Sequence, residues 1–241
     1  MQLENPGKNL IPLNPRDMEL SVKLETFISN YSLRPMFESI LSQKLFGIES
    51  DFVSKHQDGV LPYIEGMSLD YTHQIKILTN DKAGKSGRAK WFVAEKDVVS
   101  GHQKYLNEWQ VVVSSANAGG QKRDRQLQII DNHSAFGRAR VALSSFSCKE
   151  EAENFYKYVD SYIIKYAFLL TDEALSSLGK KVPDLLDYHS SNSLIDFSKD
   201  IDLQLKHLLG LTEEEFSYMK ERVIRIRGRN TSSDEHAKEM K

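Results

Sequence analysis

Trp109-Gln110-Val111-Val112-Val113 sets β-branched and aromatic residues side by side, without the three- to four-residue apolar spacing of a helix, and reads as a strand. Tyr71 to Leu78 and Trp91 to Val99 have the same character. Turn-forming clusters separate them, Asn80-Asp81-Lys82-Ala83-Gly84-Lys85-Ser86-Gly87 on one side and Ser114 to Gly120 on the other. Such connections leave little room for crossover helices, so a mostly antiparallel sheet is predicted between residues 51 and 146.

The apolar period changes on both sides of this region. Asn14 can cap and Pro15 fits a first turn; Leu20, Leu24, Phe27, Ile28 and Tyr31 then recur at helical spacing. After Ser32-Leu33-Arg34-Pro35, the residues Phe37, Ile40, Leu41 and Leu45 predict a second short helix ending at Gly47, and so a helical hairpin. Beyond the strands, Ser147-x-x-Glu150 reads as a capping box, and Phe155, Val159, Tyr162, Ile163, Tyr166 and Leu170 trace the stripe of one long helix. Thr212-x-x-Glu215 opens a last helix with Phe216, Met219, Val223 and Ile226 on its apolar side. The expected class is α+β: an irregular arm (1–13), a helical lead-in (14–50), a β-rich core (51–146), a helical scaffold (147–229) and a disordered tail (230–241).

With 241 residues, 40 % of them apolar, the chain can build a core without covalent staples. A formal net charge of −2 excludes a globally basic binder. The single cysteine, Cys148, can make neither an internal disulfide nor a multi-cysteine zinc site, which suggests a reducing, cytoplasmic setting. No apolar run approaches the roughly 20 residues of a membrane span, so no membrane partner is expected.

Catalytic motifs are missing. There is no Gly-x-Gly for a dinucleotide or methyl donor and no Gly-x-Ser-x-Gly elbow. Gly84-Lys85-Ser86 imitates a phosphate loop, but Thr79 stands where its first glycine belongs. The histidines never fall at His-x3-His spacing. A binding module is favoured over a complete enzyme, with no catalytic or metal-ligating residues assigned.

The charge is unevenly placed. Eleven cations face five anions between Lys82 and Arg140, a net +6, which leaves −8 for the rest. Lys82, Lys85, Arg88 and Lys90 surround one glycine-bearing loop, and Gln121, Lys122, Arg123 and Arg125 follow Gly119-Gly120 in another. Glycine lets backbone approach a polyanion, Lys neutralises phosphate and Arg can fork onto a guanine edge. With Asn132, His133, Arg138 and Arg140 these residues form the expected DNA-binding set. Trp91 and Trp109, beside valines, are read as packing residues, and Cys148 as an inert thiol.

Phe146-Ser147-Cys148-Lys149-Glu150-Glu151-Ala152-Glu153-Asn154-Phe155-Tyr156-Lys157-Tyr158 is similar to the acidic segment that opens the helix after the target-recognition region in the C-terminal half of type II restriction–modification adenine-specific DNA methyltransferases, and the order of segments resembles that half. Asp200-Ile201-Asp202-Leu203-Gln204-Leu205 and Leu209-Gly210-Leu211-Thr212-Glu213-Glu214-Glu215-Phe216 resemble its closing helices. Lys44-Leu45-Phe46-Gly47-Ile48 and the Trp109 strand occupy corresponding places, and the likeness extends over roughly residues 35–227. The family's glycine-rich turn is absent, as is its Asn or Asp followed by Pro-Pro-Tyr; no two prolines here are adjacent. The resemblance therefore implies a target-recognition portion that binds double-stranded DNA and works with a fused or separate methyltransferase catalytic domain, where S-adenosylmethionine would be held. Two other readings are a protein-interaction module docking a catalytic subunit, and a divergent metal-dependent nuclease in which Glu65 and Asp70 would converge.

Overall fold

The computed structural model describes residues 14–84, 87–99, 101–115, 127–171 and 178–225. The expected arm, most of the Gly119 loop and the expected tail lie outside these residues.

Helix α1 (Pro15–Asn30) starts as its sequence suggests: the Asn14 side chain accepts a hydrogen bond from the Asp17 amide at 2.8 Å, with Pro15 in the first turn. Leu20, Leu24 and Phe27 are buried. The second helix of the predicted hairpin does not form. Strand β1 (Arg34–Pro35) instead pairs antiparallel with β9 (Pro183–Asp184), and only a 3-10 turn, Met36–Glu38, follows. Backbone groups here are taken by distant partners: Met36 N–H donates to Val182 O (2.8 Å) and Leu41 N–H to Ala142 O (3.0 Å). Those tertiary bonds satisfy the donors a local helix would have used.

The strands form two larger sheets. One has the order β2-β4-β3-β7, built from β2 (Val60–Pro62), β3 (Gln74–Asn80), β4 (Ala89–Glu95) and β7 (Ser134–Phe136); a short helix α2 (Phe52–Lys55) precedes it. The other has the order β6-β5-β8, from β5 (Trp109–Ser114), β6 (Gln128–Ile130) and β8 (Arg140–Phe146). Pairing is antiparallel throughout except between β3 and β7. The architecture is α+β, with helices on both sides of the strands in chain order.

The valine run is buried on both faces, which is why it shows no polar alternation. Val111 and Val113 join a core built with the helices, whereas Val112 joins a second core with Ile130, Ala142 and residues of the four-stranded sheet. A register shift between Val111 and Val112, opposite Ser144 and Ala142, lets β8 serve both cores.

After β8 the structure departs from the single long helix. α3 (Lys149–Asp160) and α4 (Tyr162–Leu169) are separate, broken at Ser161, whose backbone is extended (ψ 153°). Asp202 causes the break to hold: its carboxylate accepts from the amides of Tyr162 and Ile163, both at 2.9 Å. The Ser147 capping box is also not made. Cys148 occupies the N-cap without a side-chain bond, and Glu150 turns to the Ser190 hydroxyl. The Thr212 box does form, Thr212 N–H to Glu215 Oε2 at 2.8 Å and Glu215 N–H to Thr212 Oγ1 at 3.1 Å, opening helix α6 (213–225) after α5 (Ile201–Leu208).

Candidate nucleic-acid interface

Strand directions bring the last residues of β3, β5 and β7 and the first of β4, β6 and β8 to one end of the sheets. β3 ends at Asn80 and β4 begins at Ala89; β7, parallel to β3, ends at Phe136; β5 ends at Ser114 beside the start of β8 at Arg140. Backbone hydrogen bonds join them. Gly137 N–H donates to Leu78 O and Ser115 N–H to Ala139 O, each at 2.9 Å, and Arg138 N–H donates to Ile48 O at 3.0 Å. Gly137 is needed for this contact, because a Cβ there would lie 2.4 Å from Thr79 Oγ1 and 3.2 Å from Ile48 Cγ2.

Asp81 shapes the β3–β4 turn. Its N–H donates to Arg88 O at 3.0 Å, its Oδ1 accepts from the Arg88 amide at 2.9 Å, and its Oδ2 lies 2.9 Å from Lys90 Nζ. The Arg88 amide and then the Lys90 ammonium hold its carboxyl down at about 2. Lys90 is thereby matched to a carboxylate. Arg138 is also matched, to Glu49 at 2.7 Å.

The remaining described cations at this end differ. Lys82 and Arg88 are exposed, and neither makes an ion-pair contact with a carboxylate among the described residues, although the Lys82 charge helps to lower the Asp81 carboxyl. Arg140 lies on the inner face of β8, partly buried, with its Nε enclosed and unbonded; Gln128 Oε1 on β6 is likewise buried without a partner. Burial alone pushes the Arg140 guanidinium below its ordinary pKa. Enclosed, unpaired donors and acceptors at the mouth of a sheet are suited to an incoming polar ligand.

Lys85, Gln121, Lys122, Arg123 and Arg125 lie outside the described residues. The residues that flank their loops, Gly84 and Gly87, and Ser115 and Gln128, stand at this end. Asn132 and His133 do not. They precede β7, and the register Lys76↔Ser134 puts His133 about 16 Å along the strand from Arg138. There the His133 ring stacks on Tyr71 (centroids 4.6 Å) and the neighbouring Asp131 binds Lys76. Lys96, whose amide donates to His73 O, is at that far end too, so the positive charge of the strand-rich region is divided between two ends.

Sequence reasoning missed the two neutralising carboxylates. Asp81 was visible beside Lys82, but Glu49 lies 89 residues before Arg138 and no local signal links them. Glu65 and Asp70 belong to no group that could hold a metal among the described residues. No helix among the described residues is long and apolar enough to cross a membrane. Comparison with protein-family models, curated proteins and solved structures finds no match for this chain.

Proposed function

We propose that the protein binds double-stranded DNA through the end where β3, β5 and β7 finish and β4, β6 and β8 begin, as the target-recognition portion of an adenine-specific restriction–modification methyltransferase. The observation that carries the DNA-binding reading is the convergence of these strand ends, joined by the Gly137 and Ser115 backbone bonds, with Lys82, Arg88 and Arg140 in no ion pair with a carboxylate among the described residues. The methyltransferase setting rests on the resemblance of residues 146–158 and 200–216. Lys82 and Arg88 would neutralise phosphates, and Arg140 with Gln128 would offer directional groups to a base edge or phosphate. The chain has neither a glycine-rich turn nor an adenine-holding Asn or Asp before Pro-Pro-Tyr. S-adenosylmethionine and methyl transfer therefore belong, in this reading, to a catalytic partner in the cytoplasm.

The test is duplex binding by fluorescence anisotropy across a salt series. With Lys82 and Arg88 on phosphates, affinity should fall at least roughly 10-fold between roughly 50 and 200 mM salt. Replacing Lys82 and Arg88 together by Ala should lower the log–log slope by about 2, while Lys206→Ala, at a residue already bound to Glu213, should leave it unchanged. Salt-independent binding, or no binding, would overturn the proposal.

A further inference from the structure

At the opposite end of β8 from Arg140, the chain gathers a different chemistry. Cys148 is the N-cap of α3, Glu151 stands in the first turn of that helix, and His189 comes from the segment after β9. Cys148 Sγ lies 3.4 Å from Glu151 Oε2, and His189 Nδ1 lies 3.4 Å from Glu151 Oε1. The three donor atoms all fall within 4.8 Å of one another.

The positions on both sides are held. Tyr188, beside His189, is buried against Phe146 and Phe155, and Asn154 Nδ2 donates to its carbonyl at 2.9 Å. Asp187 Oδ1 lies 2.9 Å from His189 Nδ1 and also accepts the His189 amide at 2.9 Å. Glu150 is tied to Ser190. Glu150, Glu151 and Asp187 thus surround one imidazole, an excess of negative charge that a dication would balance.

We propose that Cys148, Glu151 and His189, through its Nδ1, bind one thiophilic divalent cation of the zinc class, with Asp187 Oδ1, already beside that nitrogen, filling the fourth position. Tetrahedral zinc with bonds of about 2.0–2.3 Å sets its ligand atoms roughly 3.3–3.8 Å apart. Each of the two Glu151 oxygens lies in that range from one partner, Oε2 from Cys148 Sγ and Oε1 from His189 Nδ1, and the whole set falls within 4.8 Å. A thiol and an imidazole select zinc-like ions over calcium or magnesium, which take oxygen ligands. The site clamps the 185–190 segment onto the start of α3. It lies about 20 Å along β8 from the proposed DNA-binding end, so its role is structural and independent of that reading.

Cobalt(II) titrated into the metal-stripped full chain tests the site. One equivalent should bind with a thiolate-to-cobalt charge-transfer absorption, which only Cys148 can supply because the chain has a single cysteine. Cys148→Ser should abolish the band. Glu151→Gln, His189→Ala and Asp187→Asn should each weaken cobalt binding at least about 10-fold. Zinc should displace the cobalt and raise the melting temperature of the wild type but not of Cys148→Ser. Absence of the band, or an affinity unchanged in His189→Ala or Glu151→Gln variants shown by circular dichroism to be folded, would overturn the proposal.

Discussion

The Tyr166 hydroxyl, on α4, donates a 2.5 Å hydrogen bond to Oδ1 of Asp17 in the first turn of α1. The same oxygen accepts from the Tyr218 hydroxyl at 2.9 Å, and Arg222 approaches Oδ2 at 3.5 Å. Asp17 is only 2 % exposed, so one carboxylate holds together helices from the two ends of the chain. Burial, and then the bond to Asp17, push the Tyr166 phenol far above its ordinary pKa, which keeps it a donor.

Asp17→Ala should therefore cost about 2–4 kcal/mol of unfolding free energy, because two hydroxyls and a guanidinium lose their common acceptor. Tyr166→Phe should cost about 1–2 kcal/mol, since Asp17 keeps Tyr218 and Arg222. Urea unfolding of both single variants and the double variant should give a non-additive total; simple addition would show that the pair is uncoupled.

Asp202→Ala should destabilise the protein by about 1–3 kcal/mol, comparable with losing a strong helix cap. The loss should appear in hydrogen exchange at the Tyr162 and Ile163 amides, which donate to this carboxylate. If those amides stay protected, Ser161 alone is capping α4.

Gly137→Ala should cost about 1–3 kcal/mol through overpacking against Thr79 and Ile48. It should also weaken duplex binding, because the displaced turn carries Arg138 and precedes Arg140. Thermal melts and anisotropy on the same preparation measure the two effects; a stability loss with unchanged binding would detach this turn from the interface.

Acid should weaken the Asp131–Lys76 contact. Burial raises the Asp131 carboxyl, but the Lys76 ammonium, the Ser134 hydroxyl and the His133 amide outweigh it and hold the pKa below the ordinary value. A depressed carboxyl contributes stability above its unfolded pKa of about 3.9 and loses it as pH falls through the folded value. The stability difference between wild type and Asp131→Asn should accordingly be full near neutrality and shrink below about pH 4, as read by denaturant unfolding at several pH values.

The strands around Trp109 and Trp91, the start of α1 at Asn14 and the Thr212 box were legible in the sequence, because each depends on residues within a few positions of one another. The absence of methyl-transfer motifs is equally a property of the sequence. The second N-terminal helix and the unbroken helix through Ser161 were misread for one reason: Val182, Ala142 and Asp202, distant in the chain, supply bonds that local periodicity does not register.

Sequence alone determined where strands and helices could arise and that basic residues crowd the glycine-bearing turns. Only the tertiary structure decided which of those cations stay unpaired, since Glu49 reaches Arg138 and Asp81 reaches Lys90 through folding, while β7 carries His133 and Arg138 to opposite ends. It also brought Cys148, Glu151 and His189 together. Local conformation follows from neighbours in the chain; charge pairing and metal-ligand geometry follow from neighbours in space.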